Sequence, residues 1–423
     1  MHPSALALSL EAIDFQSGML FKELTLALNK IRQEDPADYE KALANSKLSE
    51  IIKRHTNVGT QMNYADVPYI NAWVMPPMLD KNHPLLNEWR KGDFASIEGL
   101  AMVRSAKDKA ITGTVDLKNC RVGGIFAIMV SEVTFTRGIF EGDQFTDEEL
   151  AAILLHELGH VFTYFEYLGF GIRTNYILSG LHKALTDTTD KKLKYEIIEE
   201  ASKALDIDIE DPEALIRSNK SEVVQTVILR KVIEKRRSEL GSSTYDNTAW
   251  EQSCDQFAAR HGAGRALTTG LAKMNRYFGN SSYMGTITHC MMEAAKIFMV
   301  FGSVLVLGTG ISLLAIMLIV DPMLDEYDRT ERRLLRIRQE SVAALKEPNL
   351  TNEQRKSILG DIEAMDAITS EFKDKRTWVQ LLHTSLYPGR RKQYQQQLFQ
   401  NELEELAFND LFIAANKFKS LIV

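Results

Sequence analysis

The chain has 423 residues, of which 45% are hydrophobic and 25% charged, and its formal net charge is −7. This composition excludes a disordered or fibrous protein, and the length is enough for one large core or two ordinary ones. Basic residues are dispersed rather than interleaved with aromatic residues, so we do not expect nucleic-acid binding. The three cysteines lack C-x-x-C spacing, which argues against a disulfide framework and a cysteine-based zinc site. The N-terminus does not resemble a secretory signal, because no basic region precedes its apolar residues.

The first part of the chain changes from a helical pattern to a strand pattern. Residues 1–60 carry apolar residues at helical spacing, and Pro36 interrupts them. From Val67 onward the pattern changes to short β-rich runs, at 69–74 and 124–135, separated by proline and charged turns. We therefore predict a helical N-terminal segment followed by a small sheet.

A helix beginning at Thr146 contains a metal-binding motif. The Thr146 hydroxyl can cap the helix, and Glu149 three positions later completes a capping box. The sequence HELGH, from His156 to His160, lies inside this helix, which we predict to end near Tyr167. Histidines four residues apart share one helix face, so both imidazoles can reach one metal ion.

Acidic residues complete the candidate site. Glu157 follows the first histidine, where its carboxylate can accept a proton from a water molecule at the metal. Zinc requires a third protein ligand and an open position for that water. On a second predicted helix, which starts near Thr248, Glu251 and Asp255 lie one turn apart. One carboxylate can bind the metal and the other can orient a histidine. Without the histidines, a surface helix with ordinary acids would be the preferred interpretation of this pair.

Two later segments differ from the rest of the chain. Residues 183–240 are densely charged and helical in pattern, and we interpret them as an inserted, solvated helical hairpin. Residues 297–320 form an uncharged apolar run, long enough to cross a bilayer of about 30 Å. A buried core helix is the alternative for this run. We therefore expect membrane contact through residues 297–320.

The topology of the apolar run has two interpretations. Five arginines follow it within twenty residues, which for a single span predicts a catalytic domain outside the cytoplasm. However, glycines at 308 and 310 can break the run into a re-entrant hairpin, which keeps both flanks on the cytoplasmic side. We favour the hairpin, and therefore expect a membrane-associated protein with a cytoplasmic catalytic domain.

Four sequence blocks occur in an order typical of one protein family. The specific blocks are FTDEELAAILLHELGH at 145–160 and EQSCDQFAA at 251–259. The others are YINAWVMP at 69–76 and, more weakly, TERR at 330–333. In these blocks the chain resembles the HtpX-like and CAAX-prenyl-protease-like zinc metallopeptidases. The resemblance covers roughly residues 60–182 and 241–340.

The resemblance implies a zincin-like α+β fold, mostly helical, with one Zn²⁺ per chain. It selects Glu251 as the third metal ligand and Asp255 as the supporting carboxylate. One family feature is missing, because the residues before the TERR block are DEYD rather than a sequence with His-Pro. A histidine that stabilises the transition state therefore has no clear counterpart, and the candidates for this role are His261, Tyr245 and Arg329.

The sequence thus predicts a zinc endopeptidase that cleaves protein or peptide substrates at or near a membrane, with membrane lipid as a further partner. We predict that His156, His160 and Glu251 bind the metal and that Glu157 is the general base. Asp255 is predicted to support the ligands by orienting a histidine. A peptide is expected to pair with an edge strand within 124–135. The alternative is a catalytically silent scaffold protein that keeps the fold. The expected organisation is a helical segment at 1–60, the metallopeptidase domain at 61–182 and 241–296, the charged insertion at 183–240, the apolar segment at 297–320 and a charged helical region at 321–423.

Overall fold

The computed structural model describes residues 13–77, 113–141, 144–209, 211–217, 223–224, 226–228, 230–231, 247–276, 330–348 and 350–371. It is mostly helical with a small sheet, as the sequence predicts. The chain divides into two compact units, Met1–Ala263 and Gly264–Val423. All the predicted site residues that the structure describes belong to the first unit. Two further candidates, Tyr245 and Arg329, lie outside the described residues.

From residue 13 onward, three helices precede the sheet, in the segment for which the sequence predicts helical structure. They are α1 (Met19–Arg32), α2 (Tyr39–Ala44) and α3 (Leu48–Thr56). A 3₁₀ turn at Pro36–Asp38 separates the first two, and the Asp35 side chain caps this turn by accepting from Ala37 N. Proline is suited to a helix start because it has no N–H to leave unpaired there. The inner face of α1 is apolar and buried, at Leu20, Leu24, Leu28 and Ile31.

Within the described residues, five strands form two sheets. They are β1 (Gly59–Ala65), β2 (Ala72–Met75), β3 (Thr114–Asp116), β4 (Arg121–Gly123) and β5 (Val130–Thr136). The larger sheet has the order β1-β5-β2, with β5 parallel to β1 and antiparallel to β2. Strands β3 and β4 form a separate antiparallel pair.

The central position of β5 corrects one prediction. Residues 124–128 form a 3₁₀ helix, and the strand that follows pairs with a neighbour on each side. Its backbone groups are therefore used within the sheet, so the prediction of an edge strand within 124–135 was wrong. Among the described strands, β2 and β1 lie at the edges of this sheet.

The helix α5 (Asp147–Asp187) follows the short helix α4 (Arg137–Phe140) and starts with the predicted capping box. Thr146 N donates to Glu149 Oε2 over 2.8 Å, and Glu149 N donates to Thr146 Oγ1 over 3.2 Å. Helix α1 fixes the same end, because Arg32 Nη1 lies 2.7 Å from Asp147 Oδ1. This ion pair places an acidic side chain at the positive end of the α5 dipole.

The length of α5 corrects a second prediction. The helix does not end near Tyr167 but continues through Gly169 for 41 residues. Its C-terminal part packs against α6 (Lys191–Leu205) and α7 (Pro212–Arg217). The segment predicted as a solvated hairpin thus has an apolar core shared with α5. The fully buried members of this core include Ile177, Leu181, Ile198, Ala201 and Ile228.

The predicted second helix is α8 (Asn247–Ala258), which leads into a π-helical turn at Ala259–Ala263. Gly262 has a φ of 86° in this turn, a left-handed conformation that glycine adopts without a steric penalty. The segment before α1 is tied to the turn, because Gln16 N donates to Arg260 O over 2.9 Å. The Arg260 guanidinium stacks over the Phe15 ring at 3.9 Å from its centroid.

The second unit contains three described helices: α9 at 264–276, α10 (Thr330–Ala344) and α11 (Asn352–Glu371). Helices α10 and α11 pack together through buried apolar residues, and Arg338 pairs with Asp366 across them. The apolar run at 297–320 lies outside the described residues. None of the helices within the described ranges is both long enough and apolar enough to span a bilayer.

Candidate metal centre

Helices α5 and α8 cross in direct backbone contact at Gly159. A Cβ atom at this position would lie 2.6 Å from Cys254 Cα, so only glycine permits the approach. Cys254 is fully buried at the crossing, where it acts as a packed small residue. One turn further along, the rings of Phe162 and Phe257 pack with their centroids 4.8 Å apart. This crossing brings the acidic residues of α8 to the histidines of α5.

The two histidines of the motif lie on the same face of α5. Their ring centroids are 4.9 Å apart and the rings are nearly perpendicular, at 89°. One potential ligand atom from each of His156, Glu157 and His160 lies within 4.8 Å of the others. These three residues can therefore hold a metal ion.

Glu251 reaches both histidines from α8. Its Oε2 atom lies 3.3 Å from His156 Nε2, and its Oε1 atom lies 3.5 Å from His160 Nε2. With metal–ligand bonds of about 2.0 to 2.1 Å, two ligands at a tetrahedral angle lie roughly 3.3 to 3.4 Å apart. Each of the two observed separations is close to this spacing, so the Glu251 carboxylate lies near enough to share a metal ion with either histidine.

Asp255 lies behind the first histidine, on the side away from Glu251. Its Oδ1 atom is 2.9 Å from His156 Nδ1, whereas the opposite ring nitrogen faces Glu251. A metal-binding histidine commonly has its second ring nitrogen against a carboxylate, which fixes the tautomer and the ring orientation. The arrangement thus leaves His156 Nε2 with its lone pair directed towards the metal position.

Burial and charge both favour a cation at this point. The side chains of His156 and Glu251 are only 9% and 8% exposed, and that of Asp255 is 2% exposed. Burying two carboxylates is costly unless positive charge compensates them, and a divalent cation bound by the imidazoles would supply it. The His160 side chain is 24% exposed, so the solvent side of the site lies next to this residue.

Glu157 is hydrogen-bonded to the sheet. Its Oε2 atom accepts a hydrogen bond of 3.2 Å from Val74 N in strand β2. The carboxylate next to the first histidine is therefore oriented by the backbone of the sheet, whereas Glu251 is oriented by the helix crossing.

Tyr164 also links α5 to the end of β2. Its hydroxyl donates to Pro77 O over 2.6 Å, and burial raises the pKa of this phenol above its ordinary value. Tyr164 was not among the residues predicted for the site. Its spacing contained a signal, because Tyr164 follows His160 by four positions and therefore lies on the same face of α5.

His261, one candidate for a transition-state-stabilising residue, lies in the π-helical turn and is 4% exposed. Its Nδ1 atom lies 2.7 Å from Phe257 O, and its ring packs 4.4 Å from the Phe257 ring. Burial lowers the pKa of His261 to about 4, so the ring is neutral at neutral pH. These contacts tie His261 to the packing at the end of α8.

The crossing of α5 and α8, with two histidines, two carboxylates and a further carboxylate held by β2, defines a candidate metal centre in a mostly helical α+β unit. Compared with protein-family models, curated proteins and solved structures, the chain matches none of them.

Proposed function

We propose that this protein is a zinc-dependent endopeptidase. In this proposal His156, His160 and Glu251 hold one Zn²⁺, Asp255 orients His156, and Glu157 is the general base. The observation that carries the proposal is the position of the Glu251 carboxylate, whose two oxygens lie 3.3 Å and 3.5 Å from the two histidine Nε2 atoms. Further support is that Glu157, adjacent to the first ligand, lies at the site and accepts a hydrogen bond from the backbone of β2.

The chemistry follows from the separate roles of the two glutamates. Zinc, when bound, supplies a Lewis acid that polarises a peptide carbonyl and lowers the pKa of water. The Glu157 carboxylate accepts a proton from the attacking water and passes it to the leaving amine as the peptide bond breaks. Val74 N–H holds this carboxylate at Oε2, which limits its rotation. Glu251 cannot substitute as the base, because both of its oxygens face the histidines.

The substrate strand is assigned to β2 in place of the predicted strand within 124–135. Strand β2 pairs with β5 along one edge only, and Val74 N on its other edge points at Glu157. Because Val74 N–H is already donated to Glu157, an extended peptide that adds to this edge would pair with its other outward-facing backbone groups and pass beside the candidate base. Side chains of successive peptide residues then alternate between the two faces of the sheet.

The family and the cellular location are proposed on the sequence alone. The four blocks that resemble the HtpX-like and CAAX-prenyl-protease-like metallopeptidases support the assignment to that family. The apolar run at 297–320 supports a location at a membrane, with the catalytic unit on the cytoplasmic side. Protein or peptide substrates and membrane lipid are the partners that this proposal requires.

The proposal is tested by metal analysis and proteolysis on the same samples. Zinc per chain is measured by elemental analysis for wild type, Glu251→Ala and Glu157→Gln, and cleavage of fluorescently labelled casein is followed in parallel. We expect one zinc in wild type and in Glu157→Gln, and loss of zinc in Glu251→Ala. Cleavage should be sensitive to chelators, and in Glu157→Gln it should fall by roughly 10² to 10⁴, the usual contribution of a general base.

The variants distinguish an enzyme from a metal-binding scaffold. Zinc retention without cleavage by any of the three proteins would favour the catalytically silent alternative. Full casein cleavage by Glu157→Gln would contradict the assignment of the base. Absence of zinc from wild-type protein purified without chelators and supplied with the metal would contradict the whole site.

A further inference from the structure

Strand β2 and helix α5 run side by side and are joined at two points. Val74 N donates to Glu157 Oε2 over 3.2 Å, and the Tyr164 hydroxyl donates to Pro77 O over 2.6 Å. Seven helical residues separate the two α5 side chains, a rise of roughly 10 Å. Val74 lies in β2 and Pro77 lies two residues past its end, so the chain between the two backbone groups can span at most about 10 Å. The helix and the chain that follows β2 therefore cover similar lengths between the two hydrogen bonds.

The edge of β2 that faces away from β5 is short. Thr136 N donates to Asn71 O, so Asn71 faces β5, and the alternation along a strand turns Ala72 and Val74 outward. The two residues after the strand are Pro76 and Pro77, which have no backbone N–H. Within the described part of β2 and these two prolines, Val74 is thus the last outward-facing donor. The Tyr164 bond lies where this edge stops being able to donate.

The surroundings of the Tyr164 side chain favour its hydrogen bond to Pro77 O. Its ring packs against Phe165, with centroids 5.8 Å apart, and Phe165 is fully buried and stacks on Phe126 at 4.7 Å. A phenol whose pKa is raised by burial stays protonated at neutral pH and remains a hydrogen-bond donor. The hydroxyl is therefore presented from a rigid aromatic support.

We propose that Tyr164 is a positioning and specificity-determining residue, which fixes the end of the substrate-pairing edge of β2 relative to the metal-binding face of α5. This inference rests on the proposed function, because it assumes that a peptide pairs with that edge. Tyr164 acts through the strand: its hydroxyl holds Pro77, and the strand between Pro77 and Val74 holds the register of a bound peptide. Loss of the hydroxyl is expected to weaken substrate binding and leave the metal site intact.

The test compares Tyr164→Phe with wild type and with Tyr195→Phe, a matched change on the 40% exposed ring of Tyr195 in α6. Residue-resolved amide hydrogen exchange measures protection at Val74, and casein cleavage gives KM and kcat. Removal of one neutral hydrogen bond should speed exchange at Val74 and raise KM by roughly 2- to 10-fold each. Zinc content, kcat and melting temperature should stay close to wild type, and Tyr195→Phe should change none of these quantities.

The two readouts separate this inference from the proposed function. Exchange at Val74 tests the positioning role even if wild type does not cleave casein, and unchanged exchange in Tyr164→Phe would overturn it. Faster exchange with an unchanged KM would overturn the role in specificity. A fall in kcat together with a lower melting temperature, at constant KM, would mean that Tyr164 only stabilises the fold. A raised KM with a changed set of casein cleavage sites, mapped by mass spectrometry, would support the proposal.

Discussion

The two halves of α5 have different packing partners. The first half contacts α1, α8 and β2, so its neighbours come from distant parts of the sequence. The second half packs on α6 and α7, which follow it directly in the chain. The histidine pair and Glu157 lie in the first half only. The comparison indicates that the metal centre depends on long-range packing, whereas the second half forms a local apolar core that extends the helix.

The largest expected effect in this comparison comes from Asp255→Asn, on the first-half side. The amide keeps the size of the side chain but removes the charge that faces His156 Nδ1 at 2.9 Å. Loss of such a supporting carboxylate typically lowers metal affinity by about 10- to 100-fold. Zinc affinity measured by competition with a fluorescent chelator should fall by this factor. Asp366→Asn in α11 is the control, and an equal fall in that variant would contradict a specific role for Asp255.

Acid should destabilise the packing around the first half of α5, because the buried His261 ring at the end of α8 must take up a proton. Its pKa is lowered to about 4 in the folded protein, against about 6.5 in an unfolded chain, so the unfolded state binds the extra proton between these values. The stability that follows from the neutral ring is complete above pH 6.5 and is lost as the pH falls towards 4, by up to about 3 kcal/mol. Urea unfolding of metal-free protein should show this loss.

The variant His261→Gln isolates this contribution from those of the other histidines. Glutamine cannot take up a proton, so the difference in unfolding free energy between the variant and wild type should shrink as the pH falls from 6.5 to 4. A difference that stays constant over this range would show that His261 does not titrate between the folded and unfolded states.

Local sequence signals predicted some of these features and missed others. The capping box at Thr146 and the start of α8 depend on nearby residues, and the structure confirms both. The end of α5 was predicted wrongly near Tyr167, because the packing of residues such as Leu181 outweighs the helix penalty of Gly169, about 1 kcal/mol. The central position of β5 depends on its pairing with β1, and no local pattern specifies that partner.

In the candidate site too, features set by local sequence were predicted and features set by long-range packing were not. The spacing of the histidines and of Glu251 and Asp255 predicted residues that the structure brings together, whereas their roles as zinc ligands and support remain predictions. The contacts of Val74 with Glu157 and of Pro77 with Tyr164 were not predicted. Both contacts involve backbone groups of β2, whose position depends on the sheet rather than on the motif.

A smaller effect is expected at the helix crossing of the first half. In Gly159→Ala the new Cβ would lie 2.6 Å from Cys254 Cα, so the backbones of α5 and α8 must separate. Overpacking of this kind costs about 1 to 3 kcal/mol, partly offset by the better helix propensity of alanine. We expect lower stability in thermal unfolding and weaker zinc binding. The control is Gly360→Ala in α11, where nothing lies within 4 Å of the new atom and a stability gain is expected.

The smallest effect is expected in the second half, where Ile198→Val removes one methyl group from a fully buried position of the local core. Such deletions typically cost about 0.5 to 1.5 kcal/mol, which chemical unfolding can measure. Zinc affinity should be unchanged, because this core contains none of the metal-site residues. Leu193→Ala on the exposed face of α6 is the control and should alter stability little. If Ile198→Val weakened zinc binding as much as Gly159→Ala does, the two halves of α5 would form one cooperative unit, and the separation between metal centre and local core would be wrong.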